Sequence, residues 1–310
     1  MNFIYCLDKN YNVQALMSFF SLNKTTSEKI TIYIAHKQPS SLKKELTKFE
    51  FKNLSFKFLE IKNKFNLPNL DNSHVSEATY YRIFALNYIE DDLDHIIYID
   101  SDILFNKDPC SSFRKYLDDL KKSKYVICAN TIGEYETDDI STIEYFDYMG
   151  MNDKYFNAGV IIYDLKKYIK QNIGDQLEHH LINFQKEARY WDQDILNTFF
   201  NGNYLELPET LNNTVVIENN DVNIKDVLEC ITVHFAGKTK PWHVKGLKFP
   251  IGCFFQKQYQ EIFNKSYFIS PFNKKRHIKE IVEFIKNKKA YCVDNNFRFL
   301  FISIKKIFKI

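Results

Sequence analysis

Apolar positions along the first hundred residues come in short bursts whose period changes. NFIY (2–5) is an apolar run of strand length, and NVQALMSFFSL after it has helical spacing. KITIYIAH (29–36) alternates as a strand does, SSLKKELTKF reads as a polar helix, and LSFKFLEI (54–61) alternates again. SEATYYRIFALNYI (76–89) returns to the helical period with Ser76 as its predicted N-cap, and HIIYI (95–99) is a fourth strand. Strand–helix–strand order predicts a mostly parallel sheet with helices on both faces, in which ligands bind beyond the carboxyl ends of strands.

The second half is less regular. KYVICAN (124–130), FNAGVIIYD (156–164) and CITVHFAG (230–237) predict strands. LKKYIKQNIGDQLEHHLINFQKEA (165–188) predicts one long helix, and WDQDILNTFF (191–200) opens another. The chain shows no internal repeat and no low-complexity tract.

Composition places the chain among folded proteins: of 310 residues, 45% are hydrophobic and 26% charged, with 28 Phe and 20 Tyr to fill a large core. No apolar run approaches the length of a membrane span, and MNFIYCLDKN lacks the pattern of a secretory signal. The cysteines show no CxxC pairing and read as buried thiols of a reducing cytosol. The net charge of +3 is unevenly spread, because residues 271–310 carry 11 Lys/Arg against 3 acids and leave −5 for the rest. This predicts a catalytic domain over 1–260 and a basic, aromatic segment over 261–310. Within that segment NKKRHIKEIVEFIKNKK and FRFLFISIKKIFKI mix Lys/Arg with Phe/Ile at helical spacing, which suits an anionic membrane surface better than nucleic acid. On this reading 271–310 is removable and leaves a soluble enzyme.

The candidate chemistry sits at strand ends. HIIYIDSDIL places Asp100 and Asp102 one residue apart, projecting together with Ser101 turned away, and such oxygen ligands suit a hard cation such as Mg²⁺ or Mn²⁺. In TVHFAGKTKPWH, His234 is a candidate third ligand, Gly237 admits a close backbone approach, and Lys240 offers a charge to a diphosphate. The plain alternative is a core histidine followed by a turn. In YWDQDILN, Asp192 reads as an N-cap and Asp194 as a complement to the helix dipole, whereas Gln193 has no evident structural reason. Gly159 interrupts the strand YFNAGVIIYDL, and DKNY (8–11) offers Asp8 and Asn10 for hydrogen bonding and Tyr11 for stacking on a base.

Taken in order, DKNY, YIDSDIL, YFNAGVIIYDL, DQDILN and HFAGKTKPWH resemble glycosyltransferase family 8, and within it the bacterial lipooligosaccharide α-galactosyltransferases, over roughly residues 1–245. The resemblance implies a nucleotide-diphospho-sugar transferase fold of the glycosyltransferase A type and a retaining transfer from a UDP-hexose, galactose or glucose. It implies Mn²⁺, with Mg²⁺ as the substitute, on Asp100, Asp102 and His234. It further implies that Asp8, Asn10 and Tyr11 bind uracil and that Gly237 and Lys240 contact the phosphates. Arg82 and Ser101 would lie at the donor, with Asn157 and Asp192 fixing its hexose and Gln193 beneath the reacting carbon. The acceptor is expected to be a lipid-linked saccharide of the lipopolysaccharide core, reached from the inner face of the bacterial cytoplasmic membrane. One departure stands out: similar enzymes carry an aspartate where ANTIGEY here has Asn130.

Two other readings compete. A haloacid-dehalogenase-type sugar phosphatase also has an apolar strand ending in Asp-x-Asp, but there it ends the first strand, and here three strands precede it. A non-catalytic nucleotide-sugar binding protein would keep the fold without turnover.

Overall fold

The computed structural model describes residues 1–61, 77–90, 92–218, 222–271, 273–287, 291 and 293–308, and these form two compact units, Met1–Asn212 and Asn213–Ile310. Ser76 lies outside the described residues, as does Cys292.

The first unit is built on a seven-stranded sheet. Its strands are β1 (Asn2–Leu7), β2 (Ile30–His36), β3 (Leu54–Leu59), β4 (His95–Ile99), β6 (Ile127–Glu134), β7 (Lys154–Asp164) and β8 (Leu205–Glu206), in the order β3-β2-β1-β4-β7-β6-β8; a short strand, β5 (Ile103–Phe105), follows β4. β3, β2, β1 and β4 run parallel, β7 is antiparallel to both β4 and β6, and β8 is parallel to β6. The expected mixed, mostly parallel sheet is therefore present. β1, β2, β4 and β7 are buried almost throughout, as strands covered on two faces must be. Ile4, Tyr33, Ile96, Tyr98, Ile161 and Tyr163 are among the sheet residues that pack in one cluster with Ile83, Phe84, Leu177 and Leu196 from helical segments.

Two helical expectations change. Residues 77–88 form 3₁₀, α and 3₁₀ turns in succession, with the α-helical turn confined to Tyr81–Phe84. Aromatic residues are modest helix formers, and burial of Ala78, Tyr80, Ile83 and Phe84 dictates the path instead. The stretch after β7 breaks into two helices, Leu165–Lys170 and Ile173–Ile182, at Asn172, whose φ of 53° is left-handed.

The second unit pairs β9 (Thr214–Val216) in parallel with β10 (Thr232–Ala236), followed by three helices, Pro250–Phe263, Lys274–Asn287 and Asn296–Ile307. Its core joins Val244, Leu247, Tyr267 and Ile269 to Ile281, Phe284 and Phe299 of the last two helices. The basic tail is thus part of a packed core, which revises the expectation that 271–310 can be removed to leave a soluble enzyme. Among the described residues no helix is long and apolar enough to cross a membrane.

Candidate active site

In the first unit, the ends of β1 and β4, the early part of β7 and the start of one helix supply polar groups that the sequence scatters between positions 8 and 193. β1 ends at Leu7, and Asp8 caps the 3₁₀ turn that follows, its Oδ1 accepting from the Asn10 N–H at 2.8 Å. Tyr11 closes that turn, and its phenol is pushed upward in pKa by burial and then by the negative charges of Asp102, Asp100 and Asp8. Those three acids therefore crowd one corner, as their positions at strand ends predict.

Arg82 is the hub. Its Nη2 donates to Asp100 Oδ1 at 2.9 Å, its Nη1 to the Ala158 carbonyl at 2.7 Å, and its Nε pairs with the Asp192 carboxylate. The guanidinium lies 4.6 Å from the centre of the Tyr98 ring, and the Tyr98 hydroxyl donates to the same Asp100 oxygen at 2.6 Å. Burial works against the Arg82 charge, but Asp100 and Asp192 hold its pKa well above the ordinary arginine value. Asp192 shares that guanidinium with Asp100, and its carboxyl is pushed up to about 7, first by burial and then by Asp100, with Arg82 opposing.

Asp192 and Gln193 open the helix Asp192–Phe200 behind Trp191, whose φ of 49° is a backbone conformation that larger side chains disfavour. Trp191 takes the N-cap position, and Asp192 is the first helical residue rather than the cap. Gln193 has a structural reason after all. Its Oε1 accepts from the Ala158 N–H at 3.0 Å and its Nε2 donates to the Tyr155 hydroxyl at 3.1 Å, pinning the helix to β7. The Tyr155 hydroxyl in turn donates to Asp194 at 2.6 Å, and the other oxygen of that carboxylate accepts from the Tyr190 N–H at 2.7 Å. Asp194 is fully buried and serves this network rather than an exposed helix end.

The Gly159 carbonyl accepts from the Asp100 N–H at 2.8 Å where β7 meets the end of β4. Asn157 Oδ1 accepts from the Gly159 N–H and from Asn212 Nδ2, both at 2.9 Å. Asn130, where the resemblance expects an aspartate, donates to the Leu207 carbonyl at 3.2 Å. Ser101 is buried between the two acids.

The first unit thus brings Asp8, Tyr11, Arg82, Asp100, Asp102 and Asp192 into one electrostatic neighbourhood, with Asn157 on the adjoining β7 and Gln193 on the helix pinned to it. His234, Gly237 and Lys240 belong to the second unit. His234 is buried on β10, and Gly237 turns the chain after it with φ of 78°. The Lys240 ammonium donates to the Phe235 carbonyl at 2.5 Å, folding the loop back on its strand. Sequence reasoning misses Tyr98, Tyr155 and Asn212. Tyr98 is findable, since it lies two residues before Asp100 on the same face of a strand.

The excess of carboxylate over buried guanidinium at Asp8, Asp100, Asp102 and Asp192 fits a divalent cation by its donor chemistry, hard oxygen against hard ion.

The raised pKa of Asp192 gives a stability prediction, read with a metal chelator in the buffer. In the unfolded chain Asp192 ionises near 3.8, and in the folded chain it keeps its proton to about 7. The folded state therefore binds the extra proton between those values, and stability falls as pH rises through that window. Asp192→Asn should match the parent near pH 4 and exceed it at pH 8 by up to about 4 kcal/mol in urea unfolding. Parallel pH profiles for the two proteins would refute this.

The mostly parallel sheet with an acid-rich site past its strand ends is an α/β architecture of the glycosyltransferase A type, as the following matches show. Residues 2–246 match the model of glycosyl transferase family 8, and the chain belongs to that family. It is 26% identical to lipopolysaccharide 1,2-glucosyltransferase of Escherichia coli K12, over 72% of this chain and 64% of that protein. It is 28% identical to lipopolysaccharide 1,3-galactosyltransferase of Salmonella typhimurium, over 57% of this chain and 52% of that one. Among solved structures, galactosyltransferase LgtC in complex with donor and acceptor sugar analogs superposes with a TM-score of 0.61 at 21% identity, covering 84% of this chain and 96% of LgtC. These matches support neither the phosphatase nor the non-catalytic reading.

Proposed function

We propose that this glycosyltransferase moves a hexose, galactose or glucose, from a UDP-sugar to a saccharide hydroxyl with retention of anomeric configuration, on an acceptor of the lipopolysaccharide core. The observation that carries the reading is the Arg82 hub, which ties Asp100 to Asp192 in one charge network. In this proposal Asp8, Asn10 and Tyr11 receive the uracil, Gly237 and Lys240 the diphosphate, and Arg82, Ser101, Asn157 and Asp192 the hexose end of the donor. Asp100, Asp102 and His234 are the proposed ligands of Mn²⁺ or Mg²⁺. Bound there, the cation supplies Lewis-acid stabilisation of the departing diphosphate.

Gln193 is held at both ends of its amide and is a poor nucleophile, while Asp192 is engaged by Arg82. Both facts favour front-face attack over a covalent adduct. The acceptor hydroxyl enters on the side from which UDP leaves, the bond from C1 to the diphosphate oxygen breaks as the new C1–O bond forms, and a phosphate oxygen takes the hydroxyl proton.

The proposal places the protein at the inner face of the cytoplasmic membrane. Phe297, Phe301 and Phe308 are 88%, 60% and 83% exposed on or just after the last helix, interleaved with Arg298, Lys305 and Lys306. That arrangement suits anionic lipid.

The test is a panel of UDP-sugars with and without Mn²⁺, reading hydrolysis and then transfer to lactose and core oligosaccharides. Mn²⁺-dependent release of UDP from one hexose donor, abolished by chelator or by Asp102→Ala, is the expected result. Phosphate release from sugar phosphates without use of any UDP-sugar would overturn it.

A further inference from the structure

The tail helix Lys274–Asn287 reaches into the loop that follows β10. Arg276 Nη2 donates to Thr239 Oγ1 at 2.8 Å and its Nη1 to the Lys238 carbonyl at 3.2 Å. Its Nε donates to Glu280 Oε1 at 2.8 Å, one helical turn away, and Glu280 Oε2 accepts from the Lys245 N–H at 3.1 Å. One helix thus grips the loop at residues 238–239 and again at 245, through a charged pair whose acid is 5% exposed and whose Thr239 partner is 3% exposed. Between the two grips and just past the second, the chain is folded tightly. The Lys240 N–H donates to His243 Nδ1, and a Cβ on Gly246 would lie 2.1 Å from the Lys240 carbonyl. Glu218 adds to the arrangement, its carboxyl held below the usual range chiefly by Lys245 and then by Thr239.

From this geometry we infer that Arg276, with Glu280, is a positioning residue for the loop carrying Gly237 and Lys240, so that capture of the donor diphosphate depends on the tail. The inference rests on the proposed reading of that loop as the diphosphate contact. Arg276 is assigned no contact with the donor, its guanidinium being engaged by Glu280, the Lys238 carbonyl and Thr239. It fixes the backbone from which Lys240 projects, and charge-assisted bonds of this kind lose their geometry when one partner is truncated.

The experiment uses the full chain with Mn²⁺ and compares UDP with UMP, which lacks the second phosphate, by titration calorimetry. Lys240→Ala tests the reading itself and should weaken UDP by about tenfold or more while sparing UMP. Arg276→Ala should weaken UDP by about tenfold, raise KM for the UDP-hexose in step with kcat little changed, and leave UMP affinity within about twofold. Arg276→Lys should recover part of the loss, since an ammonium can reach one of the two loop acceptors but not fork between them. Thr239→Val removes a loop-side acceptor without touching the tail and should shift UDP in the same direction, which keeps the inference testable if Arg276→Ala folds poorly. If Lys240→Ala weakens UDP and neither Arg276→Ala nor Thr239→Val does, the positioning role is wrong and the loop reading stands. If UDP and UMP weaken equally in the Arg276 variant, the effect is general destabilisation and the inference fails. If Lys240→Ala binds UDP normally, the loop reading falls and takes the inference with it.

Discussion

Arg82→Ala should lower stability by about 3–5 kcal/mol, the cost of leaving buried charge without its partner. The substitution strands two carboxylates at once, Asp100 and Asp192, which are 20% and 4% exposed in their side chains. It also removes a cation from the face of Tyr98 and the bond to the Ala158 carbonyl. Asp100 is the more exposed acid and recovers some hydration, so Asp192 should carry most of the loss. The double variant Arg82→Ala/Asp192→Asn should therefore regain about half of the lost stability, because it removes the acid that can least be solvated. Activity should not return with it. UDP-hexose hydrolysis should fall by more than about a hundredfold in both, since the hub sets the spacing of groups assigned to opposite ends of the donor. Arg82→Lys should fall between, keeping the charge but not three simultaneous contacts. Urea unfolding and steady-state hydrolysis read the two effects separately. A single variant as stable as the parent would show that the guanidinium is not what holds the two acids.

Much of this architecture is legible in the amino-acid sequence, for a physical reason. β1, β2 and β4 are short, apolar and separated by polar segments, and strands buried on two faces leave that pattern whatever packs on them, while the edge strand β3 shows itself by alternation. The acids at their ends are legible too, because in such sheets the carboxyl edge is where ligands go. Contacts made across the chain are not. The period of residues 76–89 is helical, yet the described part of that segment winds as successive tight turns because burial of its aromatic residues outweighs propensity. Gln193 reads as functional by elimination, since neighbours along a sequence cannot reveal that Ala158 and Tyr155 engage its amide. Asp194 reads as a helix-end charge because its partners, Tyr155 and Tyr190, come from elsewhere in the fold or from backbone. The break at Asn172 is partly legible, because asparagine is one of the few residues besides glycine that turns left-handed readily; it does so here just ahead of Gly174, where a Cβ would collide with Asn87.

Deleting residues 271–310 should unfold the second unit, an effect beyond any loss of the proposed membrane docking. The deletion removes Ile281, Phe284 and Phe299, which are 5%, 2% and 0% exposed, and uncovers Val244, Leu247, Tyr267 and Ile269. Burying one such large apolar side chain is worth about 1.5–3 kcal/mol, so the three removed residues alone account for about 5–9 kcal/mol. That is comparable to the whole stability of a typical domain. The truncated chain should accumulate as aggregate or lose the cooperative part of its unfolding curve attributable to residues 213–270. The other face of the same helix gives the contrast. Phe297 and Phe301 stand one turn apart and exposed, while Phe299 and Ser303 face inward. Phe297→Ser/Phe301→Ser should therefore change stability by less than about 1 kcal/mol. The same variant should lose most of its co-sedimentation with vesicles containing anionic lipid, while hydrolysis of UDP-hexose in solution stays at the parental rate. A truncated chain that remained soluble and unfolded with the parental midpoint would show that the tail helices contribute nothing to the core they line. A double serine variant that sedimented like the parent would show that the exposed phenylalanines play no part in membrane binding.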